Sequence, residues 1–493
     1  MSNHFKIICV SLALSTTMAC SKFVDYNPQE DYQITAENYF TTVDDYQKMV
    51  VGTYSPLQWL WGNTMIGDIA SDNSVSGGEN ATDVLGLQQI DDYQITPINS
   101  YLTEAWKACY EGINRANYLH ENKAKLDFNG KDALYGEVYF LRAYYYFELV
   151  RLFGDVPLFV DRRLSASDSR QLQRTPKAEV YKQIETDLNN AIAVLPPTNN
   201  QKGRITRYAA KGLLAKVLLY ENKFDEAATV LEDVLSWPFT LVDDYNSIFL
   251  ESGENGPESV FEIQYSNSAP FYDWSNPGRG QGNFAVQHCG IRNLTGSSPY
   301  GQGWSINLPT QQLANAFEAG DQRKAVTILD IEAYKNANPG FNITYQVAPY
   351  KNTGLYNHKY QPRKGQTSGQ VELNYLNNFR TLRYAEVLLI AAEANNRKAS
   401  PDDAKARACL NRVRQRAFRD NNHDINLSGA ALKEAIWEER RLELAMEGDR
   451  FFDLVRTGKA AEKITGFQKG KNEVFPIPQQ EVDISGLTQN PGY

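Results

Sequence analysis

One spacing constrains this chain more than any other: two small residues twelve positions apart, one in each of two consecutive apolar helical stripes. From Tyr208 the chain reads YAAKGLLAKVLLYENKFDEAATVLEDVL. Apolar residues recur at Leu214, Val217 and Leu218, then at Phe224, Ala227, Leu231 and Val234, with a break at Glu221-Asn222-Lys223. A period of three to four residues on either side of a short polar break predicts two helices joined by a tight turn. Ala215 and Ala227 then fall where small side chains let the two helix backbones approach closely. The spacing returns at Ala392 and Ala404 in LLIAAEANNRKASPDDAKARACLNRVR, where Ser400-Pro401 is expected to open the second helix. A third second-helix candidate is VYKQIETDLNNAIAVLP, with Leu188, Ala191 and Pro196 in the closing positions; its first helix would run from Tyr135 to Phe153.

Three such pairs predict a mainly α fold, built from tetratricopeptide (TPR)-type helix-pair repeats that form a right-handed helical scaffold. The scaffold is expected mainly over 98–250 and 379–457. Between 250 and 375 the helical period fades and Gly, Pro, Asn, Ser and Tyr accumulate, as in SNPGRGQGN and TGSSPYGQGW. A structureless loop of that length is improbable in a compact domain, so an irregular, partly stranded layer on the scaffold is expected. Ser259 to Gln264 is a candidate strand within it. Residues 62–97 are read as a smaller loop-rich segment, with Trp59 and Trp61 ending a helix at its entry, and 458–493 as an irregular tail. Both loop-rich parts are the expected ligand-binding parts, because rigid helices carry the loops where binding residues collect.

The amino terminus fixes the compartment. FKIICVSLALSTTMA, Phe5 to Ala19, is too short and too rich in Ser and Thr to span a bilayer, but it reads as a secretory signal over 1–19. Thr17-Met18-Ala19-Cys20 resembles a lipobox with Thr in place of the usual Leu, so Cys20 is the expected lipidation site and 20–493 the mature single domain. Three cysteines remain after it, Cys109, Cys289 and Cys409; the first and last sit among apolar neighbours, where a free buried thiol is expected.

Composition then removes function classes. The formal charge is −9 with no dense Lys/Arg tract, which argues against nucleic-acid binding. Five Cys and five His without paired ligand spacing argue against structural zinc, and no metal or other cofactor is expected. Calcium near Asp68, Asp72 and Glu79 is the one metal the residues leave open, and their spacing does not match an EF-hand loop. No GxSxG, HExxH or GxxxxGK[ST] motif occurs. A glycosidase needs only two carboxylates at a suitable distance, and 59 acidic residues leave that possibility open at this level.

The carboxyl-terminal third carries a resemblance. It reads LRYAEVLLIAAEANN, LNRVRQRAF and EAIWEERRLELAMEGDRFFDLVRTG, and closes with VFPIPQQEV and QNPGY. With FVDYNP soon after Cys20 and LRAYYYFELVRLFGDVPL in the first helices, the chain resembles the SusD/RagB family. These are surface-exposed outer-membrane nutrient-binding lipoproteins of Bacteroidetes. The resemblance implies a TPR-supported α fold and lipid anchoring at the cell surface. It also implies capture of an oligosaccharide or polysaccharide without catalysis, and delivery to a TonB-dependent SusC-like transporter. Two other readings compete: a secreted glycoside hydrolase or lyase on a helical scaffold, and a TPR lipoprotein that binds a protein or peptide. The charged run Glu438, Glu439, Arg440, Arg441 and Glu443 is read as solvated or scaffold-bridging, since adjacent helical residues point about 100° apart. Arg383, Glu386 and Arg414 are read the same way.

A sugar ring offers an apolar C–H face for stacking and hydroxyls for hydrogen bonding, so its site needs exposed aromatics beside short polar side chains. Trp106, Trp237 and Trp437 lie in helical patterns and are expected in the core. Trp274 and Trp304 lie in the Gly-rich stretches FYDWSNPGRG and SSPYGQGW, with Phe271, Tyr272 and Tyr300 nearby. The candidate glycan-binding residues are therefore Trp61, Asp72, Asn73, Tyr272, Trp274, Tyr300 and Trp304.

Overall fold

A computed structural model describes residues 39–165, 167–275, 280–347 and 350–493. The expected signal segment, Cys20 and positions 276–279 of the Gly-rich stretch lie outside the described residues. The principal helices are α1 (Val43–Tyr54), α2 (Trp61–Ile69), α3 (Ser100–Glu121), α4 (Lys131–Phe153), α5 (Lys177–Val194), α6 (Arg207–Tyr220), α7 (Phe224–Val230), α8 (Tyr384–Arg397), α9 (Asp403–Phe418), α10 (Gly429–Glu443) and α11 (Arg450–Arg456).

Pairs α4/α5, α6/α7 and α8/α9 are the three repeats expected from the sequence, and α8 packs against both α6 and α7, joining the distant halves of the chain. Local chemistry sets their ends. Thr206 Oγ1 accepts from Ala209 N to start α6, and the Asp402 side chain accepts from Lys405 N to start α9. Gly154 ends α4 at φ +72°, a conformation that L side chains rarely adopt. Ala215 and Ala227 are fully buried, as is Ala392. Ala404 is not: it lies exposed in the first turn of α9, and Ala406 takes the buried position instead. The helix starts at Asp403 rather than at Ser400-Pro401, because Asp402 is the residue whose side chain caps the free N–H groups. Between α3 and α4 the backbones come closer still; a Cβ on Gly112 would sit 2.2 Å from the Tyr145 ring.

The irregular layer carries six short strands among the described residues: β1 (Ser74–Ser76), β2 (Ser259–Ile263), β3 (Asn307–Pro309), β4 (Ile328–Asp330), β5 (Leu355–Asn357) and β6 (Phe379–Arg383). They form antiparallel pairs β1–β3, β2–β6 and β4–β5. Residues 62–97 depart from expectation. Trp61 opens helix α2 rather than ending one, because Met65, Ile66 and Ile69 continue an apolar stripe that is wholly buried. The polar run that follows is buried too: Ser71 Oγ donates to Asp68 O within the run, and Asn307 Nδ2, distant in sequence, donates to Asp68 Oδ2.

Layer and scaffold are held together by charge buried away from water. Arg323 reaches Asp321, Glu439 and Glu443 at 2.7, 2.6 and 3.0 Å. Arg383 reaches Glu258 and Glu443 at 2.8 Å each and Glu447 at 2.7 Å, while Arg416 pairs with Glu258 and Glu443. Burial pushes the Glu443 carboxyl up, but Arg416, Arg383 and Arg323 outweigh it and hold the group well below the usual carboxylate range. Glu439, Arg440 and Glu443 are therefore bridges inside the molecule, whereas Glu438, one position from Glu439, is exposed. Cys109, Cys289 and Cys409 are buried free thiols. Among the described residues no helix is long and apolar enough to cross a membrane.

Candidate functional site

Two indoles of the irregular layer stack at its surface, and a third, Trp61, lies below them across Phe284 and His288. Trp274 is 55 % exposed and lies over Trp304, with ring centroids 5.9 Å apart and planes 20° from parallel. That is the offset-stacked arrangement which aromatic quadrupoles favour. Phe284 stands edge-on to both, 5.3 Å from Trp304 and 6.2 Å from Trp274. Below them, His288 is stacked against Trp61 at 5.4 Å and edge-on to Trp304 at 5.1 Å. Phe271, in the same loop as Trp274, is 40 % exposed.

The backbone around each indole is pinned. Tyr272 N donates to Asn374 Oδ1 and Asn374 Nδ2 donates back to Tyr272 O, at 2.8 and 2.9 Å. Trp274 N donates to Gln370 Oε1 at 3.0 Å. Trp304 is held between Gly303 N, which donates to Ile291 O, and Ser305 N, which donates to Gly290 O. These segments run so close that a Cβ on Gly303 would sit 2.3 Å from Gly290 Cα, so both residues must lack side chains. A platform held this way loses little conformational entropy when a ligand settles on it.

The edge of the platform is polar. Arg292 donates through Nη2 to Trp304 O and to Asp83 Oδ2, both at 2.7 Å, and Nη1 lies 3.7 Å from Glu79. Glu79 and Asp83 remain partly open to solvent, so carboxylate acceptors and a guanidinium donor gather at the Trp304 backbone. His288 is fully buried; its Nδ1 bonds Phe284 O, and burial lowers its pKa to about 4, leaving a neutral ring beneath the indoles.

The structure thus gathers Trp61, Trp274 and Trp304 around Phe284 and His288, with Tyr272 in the buried cluster beneath them, and separates Asp72, Asn73 and Tyr300 from that group. Tyr272 is wholly buried beneath the loop that presents Trp274, an anchor rather than a surface. Tyr300 is buried in a different cluster, its hydroxyl 2.7 Å from His358 Nε2. Asp72 is buried against Arg450, which donates to both its oxygens at 2.7 and 2.9 Å. Burial raises the Asp72 carboxyl, but Arg450 outweighs this and holds it below its ordinary value. Asn73 is buried too and accepts from Arg441 Nε at 2.9 Å. Asp68, Asp72 and Glu79 face separate partners, namely Asn307 with Gly448, Arg450, and Arg292, and so form no common oxygen cage. Phe284, His288 and Arg292 escaped the sequence reading; the QGNFAVQH run carries a Phe and a His at i,i+4, a pattern equally common in a core.

The chain matches the profile described as SusD family over residues 257–474, and the profile described as starch-binding associating with outer membrane over 22–219. It is 29% identical to SusD-like protein P2 of Formosa agariphila, over 99% of each chain. Among solved structures it is 34% identical to a laminarin binding SusD-like protein, with a TM-score of 0.82 and coverage of 91% of this chain and 99% of that one. It is 28% identical to surface glycan-binding protein A from Bacteroides thetaiotaomicron in complex with laminarihexaose, with a TM-score of 0.79 over 91% of this chain and 100% of that one. With both halves matched by family profiles and the fold shared along nearly the whole chain, this protein belongs to the SusD family.

Proposed function

We propose that the protein is a glycan-binding lipoprotein of the outer cell surface, anchored through Cys20. It holds an oligosaccharide or polysaccharide on the Trp274/Trp304 platform and passes it, chemically unchanged, to a TonB-dependent SusC-like transporter. One observation carries this reading: an exposed indole held rigidly in an offset stack, with carboxylate and guanidinium groups at its edge. Such a surface satisfies both the apolar face and the hydroxyls of a pyranose ring. One relative is a laminarin binding SusD-like protein and another was solved in complex with laminarihexaose, which makes laminarin the first glycan to test. The polar edge also fits a binder: Asp83 is paired with Arg292 at 2.7 Å, and the exposed Glu79 lies 3.7 Å from the same guanidinium.

Isothermal calorimetry of the protein starting after Cys20 tests the binding step. Laminarihexaose should bind saturably and be recovered at its original length after prolonged incubation. Failure to bind laminarihexaose or any glycan of a broad array would overturn the reading, and shortened products would replace it with the hydrolase. Delivery predicts co-purification with a TonB-dependent receptor from outer membranes; repeated isolation without one would remove that part.

A further inference from the structure

We propose that the turn from Gln366 to Leu376 is a brace that fixes the indole stack before any glycan arrives, with Gln370 and Tyr375 as its positioning residues. This role rests on the glycan-platform reading and adds what governs the platform's affinity. The turn closes on itself: Leu376 N donates to Gln366 O at 3.0 Å, and Thr367 pairs antiparallel with Tyr375. Inside it, Gln370 O accepts from Leu373 N and from Asn374 Nδ2, both at 3.0 Å.

One side of the turn grips the segment that carries Trp274. That segment is closed at its base by Ser266 N, which donates to Gln281 O at 2.9 Å. Beyond the base, side chains of the turn hold it: Ser368 Oγ donates to Asn267 O, Asn374 bonds both backbone groups of Tyr272, and Gln370 Oε1 accepts from Trp274 N. Of these, Gln370 meets the indole-bearing residue itself. Trp274 is more than half exposed, so packing alone constrains it little, and the Gln370 bond holds its backbone over Trp304 in the unliganded protein. A residue already ordered loses little entropy when a ligand settles on it.

The other side of the turn reaches Trp304. Tyr375 Oη donates to Gln287 Oε1 at 3.0 Å, with both residues buried, and Gln287 O accepts from Trp304 N at 2.9 Å. Tyr375 O also accepts from Asn283 N at 2.7 Å, next to Phe284, the ring that stands edge-on to both indoles. One short turn therefore bonds the backbone of Trp274 directly and that of Trp304 through a single intervening residue. The relative placement of the two indoles is fixed from one element, although they lie on different loops.

Fluorine NMR of ligand-free protein labelled with fluorotryptophan reads the stack, because the Trp304 ring current shifts the Trp274 line; Trp304→Ala supplies the unstacked reference. Gln370→Ala should move the Trp274 line toward that reference at an unchanged melting temperature. It should also weaken laminarihexaose binding about fivefold, the effect of one neutral hydrogen bond. Gln370→Glu, which keeps the acceptor, should restore both. Tyr375→Phe, which breaks the contact with Gln287, should move both indole lines. An unmoved Trp274 line in Gln370→Ala, or a moved line with unchanged affinity, overturns the proposal. Weaker binding with the line in place overturns it too, since Gln370 would then be a glycan contact. Failure of the platform reading shows differently, as full laminarihexaose affinity in Trp274→Ala.

Discussion

Tyr272 and Trp274 are two positions apart in one loop and do opposite work: the first is wholly buried and the second 55 % exposed. Nothing in FYDWSNPGRG separates them, because both are large aromatics between turn residues. What separates them is Asn374, whose side chain binds the Tyr272 backbone on both sides and turns that ring inward. The account predicts distinct losses. Trp274→Ala should weaken glycan binding about tenfold or more and leave the melting temperature unchanged, whereas Tyr272→Ala should cost roughly 3–5 kcal/mol of stability as a large core truncation. Calorimetry and denaturant unfolding separate the two, and equal effects in both assays would remove the distinction. His288 adds a pH signature. Its folded pKa, about 4, lies below its ordinary value of 6.5, so between these values the unfolded chain binds a proton that the native chain does not. Stability should therefore fall as pH drops through that window, and should fall less steeply in His288→Phe. Parallel melting curves from pH 6.5 to 4.5 would contradict a buried neutral imidazole.

At the scale of elements, helix pairs were legible and their contacts less so. Periodicity located α4 to α9, yet it placed the small buried residue at Ala404, which is exposed in the first turn of α9, whereas Ala406, about 200° further round the axis, is buried. Helix α2 was misread as a loop because Asp68, Asp72 and Asn73 look solvated in sequence; in the fold each finds a partner far along the chain, Asn307, Arg450 and Arg441 in turn. The charged stretch of α10 was legible as scaffold-bridging, but its depth was hidden, for no local pattern reveals that Arg323, Arg383 and Arg416 converge on Glu443. Glu443→Gln would leave those three guanidinium groups short of a counter-charge and should cost about 3–5 kcal/mol. Urea unfolding reads that loss, and a change under about 1 kcal/mol would show that the cluster contributes register rather than stability.

Over the whole molecule, the division of labour follows chain order only loosely. Repeats at either end of the sequence close on each other through α6, α7 and α8, and the irregular layer between them is pinned to that frame by buried ion pairs. The platform draws on residues 61, 274, 284 and 304, so no single stretch of sequence contains it. Aromatic content and turn-rich composition pointed to the loops that carry Trp274 and Trp304, while which rings face outward depended on contacts made across the fold. A crystal structure of the protein with laminarihexaose, or with the best ligand of a glycan array, tests this account most directly. A pyranose ring lying flat on the open face of Trp274, with hydroxyls reaching Asp83, Glu79 or Arg292, is the predicted result. Well-ordered sugar elsewhere on the surface, with the Trp274 face bare, would contradict it.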